Sequence, residues 1–399
     1  MRRKSVTSGA RKCIATTNHL NDCRVAVIGG GLGGLTVALA CAGHGARVTV
    51  FEQAPEFGDV GAGIQISPNG ARVRHALGLQ SHSVGLTAQR VCLSDALTGR
   101  DLTRLDLAHH TPPYRFFHRA RLLQMLADAC AHAGVDLTLD AQVSQIAPKD
   151  GLTWKNGPFD ADVIIGADGI HAMSRAVLNT DAPAQFTNQV AWRALIPVSN
   201  AAAQAQVWMA PGRHVVTYPV SGQTLNIVAV QERPDWAAEG WNHPDDPANL
   251  QAAFRDCAAP LRALLDHVQT PMLWGLFRHD VAPVWAQDRL ALVGDAAHPT
   301  LPFLAQGANL ALEDAWVLAD CLRRHPHQKA FRVYQGLRRP RVIRAIEAAN
   351  ANARNYHLSG AKRIVAHMGL RALGILRPRH FENRLSWLYD HDVTRGSDV

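Results

Sequence analysis

The chain has 399 residues, of which 47% are hydrophobic and 19% are charged, a composition that is typical of globular proteins and excludes a disordered or collagen-like chain. Its 41 basic and 33 acidic residues give a formal net charge of +8, which by itself would favour a polyanionic partner. Half of this excess lies in residues 1–22, where five basic residues accompany one acidic residue. We therefore expect residues 1–23 to be a disordered basic extension, with an organelle presequence as the alternative.

Cysteine usage and hydropathy narrow the class of protein further. The seven cysteines are scattered and contain no C-x-x-C pair, which indicates a reduced, cytoplasmic chain without disulfides or a zinc ribbon. No cluster of His, Cys and carboxylate residues has metal-site spacing, so no metal is expected. The uncharged run Val25–Ala46 has 22 residues and is long enough to span a membrane. Its centre, GGGLGG, is typical of a phosphate-binding turn, so no membrane span is expected.

In chain order, the predicted elements describe two kinds of sheet. A βαβ unit comes first, four β-rich runs follow in the middle of the chain, and a buried strand and a long helix come last. The predicted elements are strands at Arg24–Ile28 and Arg47–Phe51 around a helix at Leu35–His44, strands at Val190–Val198, Gln206–Met209, Arg213–Val220 and Leu225–Gln231, a helix at Asn249–His267, a strand at Leu290–Val293 and a helix at Gly307–Arg323. This order predicts an α/β fold in which a Rossmann-like lobe is interrupted by an antiparallel-sheet lobe and followed by a helical C-terminal region.

The first βαβ unit carries a dinucleotide motif. Gly29, Gly31 and Gly34 form G-x-G-x-x-G between the first strand and the helix. The first glycine allows a tight turn, the second lets the backbone approach a pyrophosphate, and the third lets helix and strand pack closely. Glu52 follows the second strand, 23 residues after Gly29, where a carboxylate can accept hydrogen bonds from ribose hydroxyls. This arrangement predicts a dinucleotide site.

Two later segments indicate which dinucleotide is bound. Asp162–Gly169 reads DVIIGADG, and Leu290–Trp316 reads LALVGDAAHPTLPFLAQGANLALEDAW. Each segment alone could be a buried strand followed by a turn. Together with the glycine motif they resemble the three fingerprints of the FAD-dependent aromatic hydroxylases, the family typified by para-hydroxybenzoate hydroxylase. The resemblance extends from about Arg24 to Asp390, nearly the whole folded chain.

The resemblance implies a set of FAD contacts. Besides the glycine turn at the pyrophosphate, these are Glu52 at the adenosine ribose, Arg119 beside the FAD, Val143 at the adenine, Asp168 with Gly169 near the pyrophosphate and the nicotinamide donor, and Asp295 at the ribityl chain. The segment Gly61–Asn69 resembles the loop beside the flavin. Ala172 departs from the family, which more often has serine there, whereas Arg175 matches it.

Elementary chemistry also favours FAD. A reduced flavin is anionic around N1 and the C2 carbonyl, and a helix that begins at Gly307, Ala308 and Asn309 would offer N–H donors to that charge. The chain has a single G-x-G-x-x-G. NADH or NADPH is therefore expected as a transient reductant without a Rossmann lobe of its own.

The middle strands suggest a substrate pocket. His214 and Tyr218 are four residues apart on one predicted strand, so their side chains share a face. The pattern is similar to salicylate, 3-hydroxybenzoate and 6-hydroxynicotinate hydroxylases, which implies that this histidine and tyrosine act on the substrate, with the base helping to form a phenolate. Arg193 could pair with a substrate carboxylate. The alternatives are a surface histidine, an ordinary sheet tyrosine and a structural ion pair.

The implied function is that of a single-component FAD-dependent monooxygenase. It would use NADH or NADPH and O2 to hydroxylate a phenolic or hydroxypyridine carboxylic acid through a flavin C4a-hydroperoxide, as a monomer or homodimer. A flavin halogenase is the first alternative, but the chain lacks the W-x-W-x-I-P segment. A binder that resembles the GDP-dissociation inhibitors is the second, and the Asp168 and Asp295 motifs argue against it. The basic segment Arg338–Arg344 lacks an aromatic stacking pattern, so no nucleic-acid partner is expected.

The resemblance also implies domain boundaries. Residues near 85–117 are expected to leave the first lobe and contribute to the second. The expected segments are 24–182 for the first part of the FAD-binding lobe, 183–282 for the substrate lobe, 283–350 for the second part of the FAD-binding lobe and 351–399 for the C-terminal helical region.

Overall fold

The structure, a computed structural model, describes residues 18–58, 63–80, 84–180, 183–235, 243–377 and 379–395. The strands in these ranges are β1 (Arg24–Ile28), β2 (Arg47–Phe51), β3 (Gly63–Ile66), β4 (Leu86–Thr87), β5 (Arg90–Asp95), β6 (Asp101–Asp106), β7 (Arg115–His118), β8 (Asp136–Thr138), β9 (Val143–Ala147), β10 (Gly151–Trp154), β11 (Gly157–Phe159), β12 (Val163–Gly166), β13 (Gln185–Pro197), β14 (Gln204–Ala210), β15 (Arg213–Ser221), β16 (Thr224–Glu232), β17 (His243–Pro244), β18 (Met272–Arg278), β19 (Ala286–Gln287) and β20 (Leu290–Leu292). The α-helices are α1 (Leu32–Ala42), α2 (Pro68–Ala76), α3 (Arg119–His132), α4 (Met173–Leu178), α5 (Pro247–Ala253), α6 (Ala259–Asp266), α7 (Gly307–Arg324), α8 (His327–Tyr356), α9 (Gly360–Leu376) and α10 (His380–Tyr389).

The first sheet is the Rossmann-like one, with strand order β19-β20-β12-β1-β2-β8. The strand β1 pairs in parallel with β2 and β12, and β12 pairs in parallel with β20. Since side chains alternate along a strand, Val25 and Val27 pack in the core that contains α1 and α7. Ala26 and Ile28 pack on the other face against the small sheet of β9, β10 and β11. A strand buried on both faces needs a continuous apolar run, which explains the sequence RVAVI.

The second sheet is mixed, with strand order β17-β18-β13-β16-β15-β14-β5-β6. All of its pairs are antiparallel except β14 with β5, a difference from the purely antiparallel sheet that we predicted. One face, which includes Trp192 and Val215, packs on α5 and α6. The other face, which includes Ala191 and Val230, packs against Phe303 of the FAD-binding lobe.

The topology confirms that the first sheet is interrupted by the second, because β20 returns to β12 after the whole second sheet. The strands β5 and β6, from the segment near 85–117, belong to the second sheet. The strands β4 and β7 of the same segment instead pair with one another beside β3 in a separate three-stranded sheet.

Two sequence predictions differ from the structure. The helix expected at Asn249–His267 is two helices, and Pro260, which has no N–H to donate, lies in the first turn of the second one. The expected disorder of the extension is wrong for residues 18–23, because Leu20 is 1% exposed and packs in the main core. Residues 1–17 lie outside the described ranges.

The C-terminal helices connect the two lobes. The helix α9 packs on β6, where a Cβ on Gly374 would lie 2.6 Å from Oγ1 of Thr103. Arg363 and His367 of the same helix both contact the carboxylate of Asp95 at the end of β5.

Within the described ranges no helix is long and apolar enough to cross a membrane, and no group of three or more His, Cys, Asp or Glu side chains could hold a metal ion.

Candidate active site

The glycine turn after β1 leaves room for a ligand. Gly29 has a φ of +102°, and a Cβ there would lie 2.4 Å from the carbonyl oxygen of Ala167. A Cβ on Gly34 would lie only 1.9 Å from the carbonyl oxygen of Gly29, whereas one on Gly31 meets nothing within 4 Å in the described part of the chain. The helix α1 begins at Leu32, so its first N–H groups have no intrahelical partner. Free donors beside an open space fit the pyrophosphate of FAD.

Alanine substitutions at two of these glycines are expected to have separable effects. Gly34→Ala forces a methyl group against the Gly29 carbonyl, so we expect the free energy of unfolding to fall by about 1–3 kcal/mol. Gly31→Ala places its methyl group in open space, and should leave the stability of FAD-free protein unchanged while weakening FAD binding about tenfold. Urea unfolding and a fluorescence titration with FAD measure the two effects. Unchanged FAD affinity in Gly31→Ala would contradict a cofactor site at this turn.

Glu52 closes the glycine turn from the end of β2. Its Oε2 accepts a hydrogen bond from the N–H of Gly30 at 2.6 Å, and its Oε1 accepts one from the N–H of Ala54 at 2.8 Å. The main-chain oxygen of Glu52 accepts the N–H of Ala141 at 2.8 Å, two residues before Val143 begins β9. Glu52 and Val143 are thus neighbours in the fold. Their assigned contacts with ribose and adenine stay predictions.

Asp295 and Arg119 lie together although they come from distant parts of the chain. Asp295 follows β20 in the short 3₁₀ turn Gly294–Ala296. Its side chain is open to solvent, yet surrounding protein raises its pKa by burial, and the charges of His298 and Arg119 act in the opposite direction. Because this carboxylate is reached by solvent and is also surrounded by protein, it lies on the wall of a cleft. The half-buried Arg119 begins α3 and is close enough for Asp295 to shift its pKa.

The N-terminus of α7 opens beside the same carboxylate. A Cβ on Gly307 would lie 3.9 Å from Oδ1 of Asp295 and 2.7 Å from Oγ1 of Thr300. The N–H groups in the first turn of α7, which include those of Gly307 and Ala308, have no intrahelical acceptor. Their partial positive charge suits the anionic edge of a reduced flavin.

The side chain of Asn309 is fully used within the protein. Its Nδ2 donates to the carbonyl oxygens of Gln65 at 3.1 Å and Ala305 at 2.8 Å, and its Oδ1 accepts the N–H of Ser67 at 2.9 Å. Asn309 can therefore offer a flavin its main-chain N–H but not its amide group. It also fixes the connection between β3 and α2 in the predicted flavin loop, of which residues 61–62 lie outside the described ranges.

A buried ion cluster beneath the Asp295 turn was missed by the sequence analysis. Asp314 accepts hydrogen bonds from the N–H of Gly294 at 3.2 Å, from His298 Nε2 at 2.5 Å and from Arg338 Nε at 2.7 Å. Arg338 also pairs with Glu313 at 2.6 Å, and the side chains of Glu313, Asp314 and Arg338 are at most 1% exposed. The cluster holds both ends of the turn that carries Asp295. It also places an arginine of the basic segment Arg338–Arg344 inside the protein.

The loop after β12 is held by a serine that we did not predict. Asp168 accepts hydrogen bonds from the N–H of Ser174, at 2.9 Å, and from its hydroxyl. Burial raises the pKa of Asp168, and these hydrogen bonds act in the opposite direction. Ser174 lies two residues beyond Ala172, where the resemblance places a serine. Arg175 donates to the carbonyl oxygen of Ala297 at 3.3 Å, which connects this loop to the Asp295 turn.

One face of the second sheet presents polar side chains to the FAD-binding lobe. Tyr218 is the register partner of Asn226, and Arg193 and His214 pair with Val228 and Val230. Since alternate residues share a face, these four polar side chains point to the same side, which confirms the predicted common face of His214 and Tyr218. His214 is 2% exposed and Tyr218 is 5% exposed, so the interpretation of His214 as a surface histidine is wrong.

Tyr218 and its neighbours lie close to the predicted FAD contacts. Burial raises the pKa of Tyr218 to about 12, and the charge of Arg193 and a hydrogen bond with Gln65 act in the opposite direction. Asn226 is fully buried, and its Nδ2 has no hydrogen-bond partner within the described ranges. Burial lowers the pKa of Arg193, which both Tyr218 and Arg119 are close enough to influence. The polar face of the sheet therefore meets the Arg119 and Asp295 cleft.

His214 contacts residues from two other parts of the chain. Its ring centre lies 5.7 Å from that of Phe303 and 5.3 Å from that of Tyr356. Its Nδ1 lies 2.7 Å from Nε2 of His357, whose Nδ1 in turn lies 2.8 Å from Oε1 of Glu232. His357 and Glu232 were not predicted from the sequence, since neither belongs to a recognisable motif.

Comparison with known proteins agrees with this geometry. The family model described as "FAD binding domain" matches residues 22–349. The chain is 37% identical to 3-amino-4-hydroxybenzoate 2-monooxygenase of Streptomyces cremeus over 84% of this chain and 88% of that protein. It is 30% identical to 3-hydroxybenzoate 6-hydroxylase of Polaromonas naphthalenivorans over 93% and 97%.

A solved structure described as a salicylate hydroxylase substrate complex superposes with a TM-score of 0.77 at 25% identity, and covers 94% of this chain and 97% of that one. These matches confirm the resemblance predicted from the three motifs. The chain belongs to the FAD binding domain family, and within it to the FAD-dependent monooxygenases of aromatic compounds.

Proposed function

We propose that the protein is a single-component monooxygenase that uses NADH or NADPH and O2 to hydroxylate a phenolic or hydroxypyridine carboxylic acid. The observation that carries this proposal is the polar face of His214, Tyr218, Asn226 and Arg193, the first three of them buried, opposite the cleft of Asp295 and Arg119. When bound, reduced FAD supplies the activated oxygen. Its predicted contacts are the glycine turn, Glu52, Arg119, Val143, Asp168, Asp295 and the first turn of α7.

His214 acts as the base in this proposal. Burial and the neighbouring His357 hold its pKa well below the ordinary value of 6.5, so its imidazole is neutral at physiological pH. A neutral imidazole that removes the proton of the ring hydroxyl makes the aromatic ring more nucleophilic, and such base assistance contributes ~10²–10⁴-fold to a rate. Tyr218, whose pKa of about 12 keeps it protonated, lies on the same face of β15 and supplies a hydrogen-bond donor to the bound substrate.

The carboxylate of the substrate is bound by the other two polar residues of the face. The half-buried Arg193 supplies a positive charge, and charge-assisted hydrogen bonds from arginine to a carboxylate are among the strongest in proteins. The amide Nδ2 of Asn226 supplies a donor that is otherwise without a hydrogen-bond partner in the described part of the chain. An anionic substrate also suits a cleft in which Arg119 and Arg193 are near one another.

A substrate screen tests this function. Purified protein loaded with FAD is mixed with NADH or NADPH and with 3-amino-4-hydroxybenzoate, 3-hydroxybenzoate, salicylate or 6-hydroxynicotinate, and the product is identified by mass spectrometry under ¹⁸O₂. We expect at least one aromatic acid to accelerate nicotinamide oxidation and to gain one ¹⁸O atom, and its decarboxylated analogue to bind more weakly. Nicotinamide oxidation without a labelled aromatic product from any of these acids would contradict the proposal.

A further inference from the structure

A continuous line of hydrogen bonds runs from His214 to the surface. His214 is 2% exposed, the side chain of His357 is 3% exposed and that of Glu232 is 54% exposed. The two links are the distance of 2.7 Å between Nδ1 of His214 and Nε2 of His357 and that of 2.8 Å between Nδ1 of His357 and Oε1 of Glu232. Two hydrogen bonds thus connect the buried His214 to the solvent-exposed carboxylate of Glu232.

The order of donors and acceptors along this line follows from its outer end. An ionised carboxylate only accepts hydrogen bonds, so His357 must carry a proton on Nδ1. A neutral imidazole has one N–H, and Nε2 of His357 must therefore accept a hydrogen bond from Nδ1 of His214. By the same reasoning Nε2 of His214 carries a lone pair, which is the form that a base requires.

We propose that His357 and Glu232 form a proton relay that keeps Nε2 of His214 unprotonated and carries the proton of the substrate to solvent. This inference rests on the proposed function of His214. In it His357 and Glu232 are positioning and relay residues, because neither touches the substrate.

Each step of the relay conserves protons. The O–H bond of the substrate hydroxyl breaks as an N–H bond forms at Nε2 of His214. The Nδ1–H bond of His214 then breaks as one forms at Nε2 of His357, and the Nδ1–H bond of His357 breaks as an O–H bond forms on Glu232, from which water removes the proton. After oxygen transfer the sequence runs in reverse: Nε2 of His214 gives its proton to the ring oxygen of the hydroxylated product, which becomes a phenol, and a proton from water enters through Glu232 and His357. This restores the starting tautomers.

Burial explains why a relay is needed. A histidine cation inside the protein is costly unless it is paired, and burial lowers the pKa of both His214 and His357. Besides these two, the titratable groups around His214 are Tyr356, whose pKa burial raises to about 12, and Glu232, which acts against the pKa shift of His357. Of the groups just named, Glu232 is the carboxylate, and it lies at the exposed end of the line.

The backbone fixes the relay in place. The main-chain oxygen of His357 accepts the N–H of Gly212 at 3.1 Å, and the N–H of Glu232 donates to the carbonyl oxygen of Gly212 at 2.8 Å. The turn between β14 and β15 therefore binds both relay residues at once. Donor and acceptor atoms that are held at fixed distances in this way exchange a proton more readily than mobile ones.

The first test measures the tautomer of His214 and needs no substrate. In ¹⁵N-histidine-labelled holoenzyme, with His214 assigned through His214→Asn, we expect an NMR shift typical of an unprotonated Nε2. In His357→Phe, Nδ1 of His214 loses its acceptor, and we expect the proton to move to Nε2. A protonated Nε2 in the wild-type protein, or no change in His357→Phe, overturns the relay.

The second test separates proton transfer from a structural role. Glu232→Gln retains a hydrogen-bond acceptor but cannot take up a proton, and Glu347→Gln, an exposed carboxylate on α8, is its matched control. With the most productive acid of the screen we expect about a tenfold loss of kcat at neutral pH in Glu232→Gln. The loss should shrink as pH rises and the substrate binds as phenolate. A loss that is equal at all pH values, or is shared by the control, overturns the relay, whereas a screen without product removes only the proposed function.

Discussion

Replacing His214 with asparagine is expected to slow hydroxylation by ~10²–10⁴-fold, the usual contribution of a general base. Asparagine can occupy the buried position and hydrogen-bond with His357, but it cannot remove the proton of a ring hydroxyl. FAD binding should be unaffected, because the predicted FAD contacts lie on other elements. The measurements are the rate at which the ¹⁸O-labelled product forms, its yield per nicotinamide oxidised and the FAD content of the purified protein.

A second buried histidine provides the control for this substitution. His367 lies on α9 and is 8% exposed. Its Nδ1 lies 3.1 Å from the carboxylate of Asp95 at the end of β5, and α9 packs on β6, the edge strand of the second sheet. We expect His367→Asn to change stability but not the yield of product per nicotinamide. If the two variants lose product yield equally, His214 is a packing residue and the assignment of the base is wrong.

Replacing Arg338 with methionine is expected to lower the free energy of unfolding by about 3–5 kcal/mol, because it leaves buried carboxylates without a partner. Arg338 is 1% exposed and binds Glu313 and Asp314, which are fully buried. The exposed Arg332 of the same helix gives the matched control, since Arg332→Met removes the same charge from the surface. Urea unfolding at neutral pH measures both, and similar losses in the two variants would show that the ion cluster contributes little.

The same ion cluster predicts how the stability of the folded protein changes as the pH falls. Burial alone would raise the pKa of Glu313. The guanidiniums of Arg338 and Arg341 act in the opposite direction with a larger effect, and lower this pKa from 4.5 to about 2. A carboxylate with a depressed pKa in the folded state stabilises the protein above pH 4.5, and this contribution is lost as the pH falls toward 2. In Arg338→Met the pKa of Glu313 rises, so we expect acid unfolding to begin at a higher pH. An unchanged acid transition would contradict this account.

The parts of the site that could be predicted are those with local signatures. The G-x-G-x-x-G turn, Glu52 at the end of β2 and Asp295 after β20 each depend on a strand followed by a turn, which a short stretch of sequence encodes. Tyr218 and His214 share a face because strand periodicity places residues i and i+4 together. Comparable reasoning fails for Asn249–His267, where helical composition concealed the break before Pro260.

The contacts that the sequence analysis missed join distant residues without a local pattern. His357 follows α8 and meets His214 across 143 positions, and Asp314 and Arg338 lie on different helices. Such pairs depend on how α7 and α8 pack over the sheets, which neither periodicity nor spacing reveals. Ser174 is a milder case, since its hydroxyl holds Asp168 from a position two residues beyond the one that the resemblance predicts.

The interruption of the Rossmann-like sheet has a consequence for synthesis on the ribosome. When β12 emerges it can pair with β1, but its other edge stays open until β20 arrives, after the entire second sheet has been made. An open parallel edge and an uncovered apolar face are sites of misassociation. The helix α7, which covers that face and supplies the predicted flavin donors, ends only at Arg324. We therefore expect FAD, bound at the predicted contacts, to stabilise the nascent chain fully only after α7 has been made.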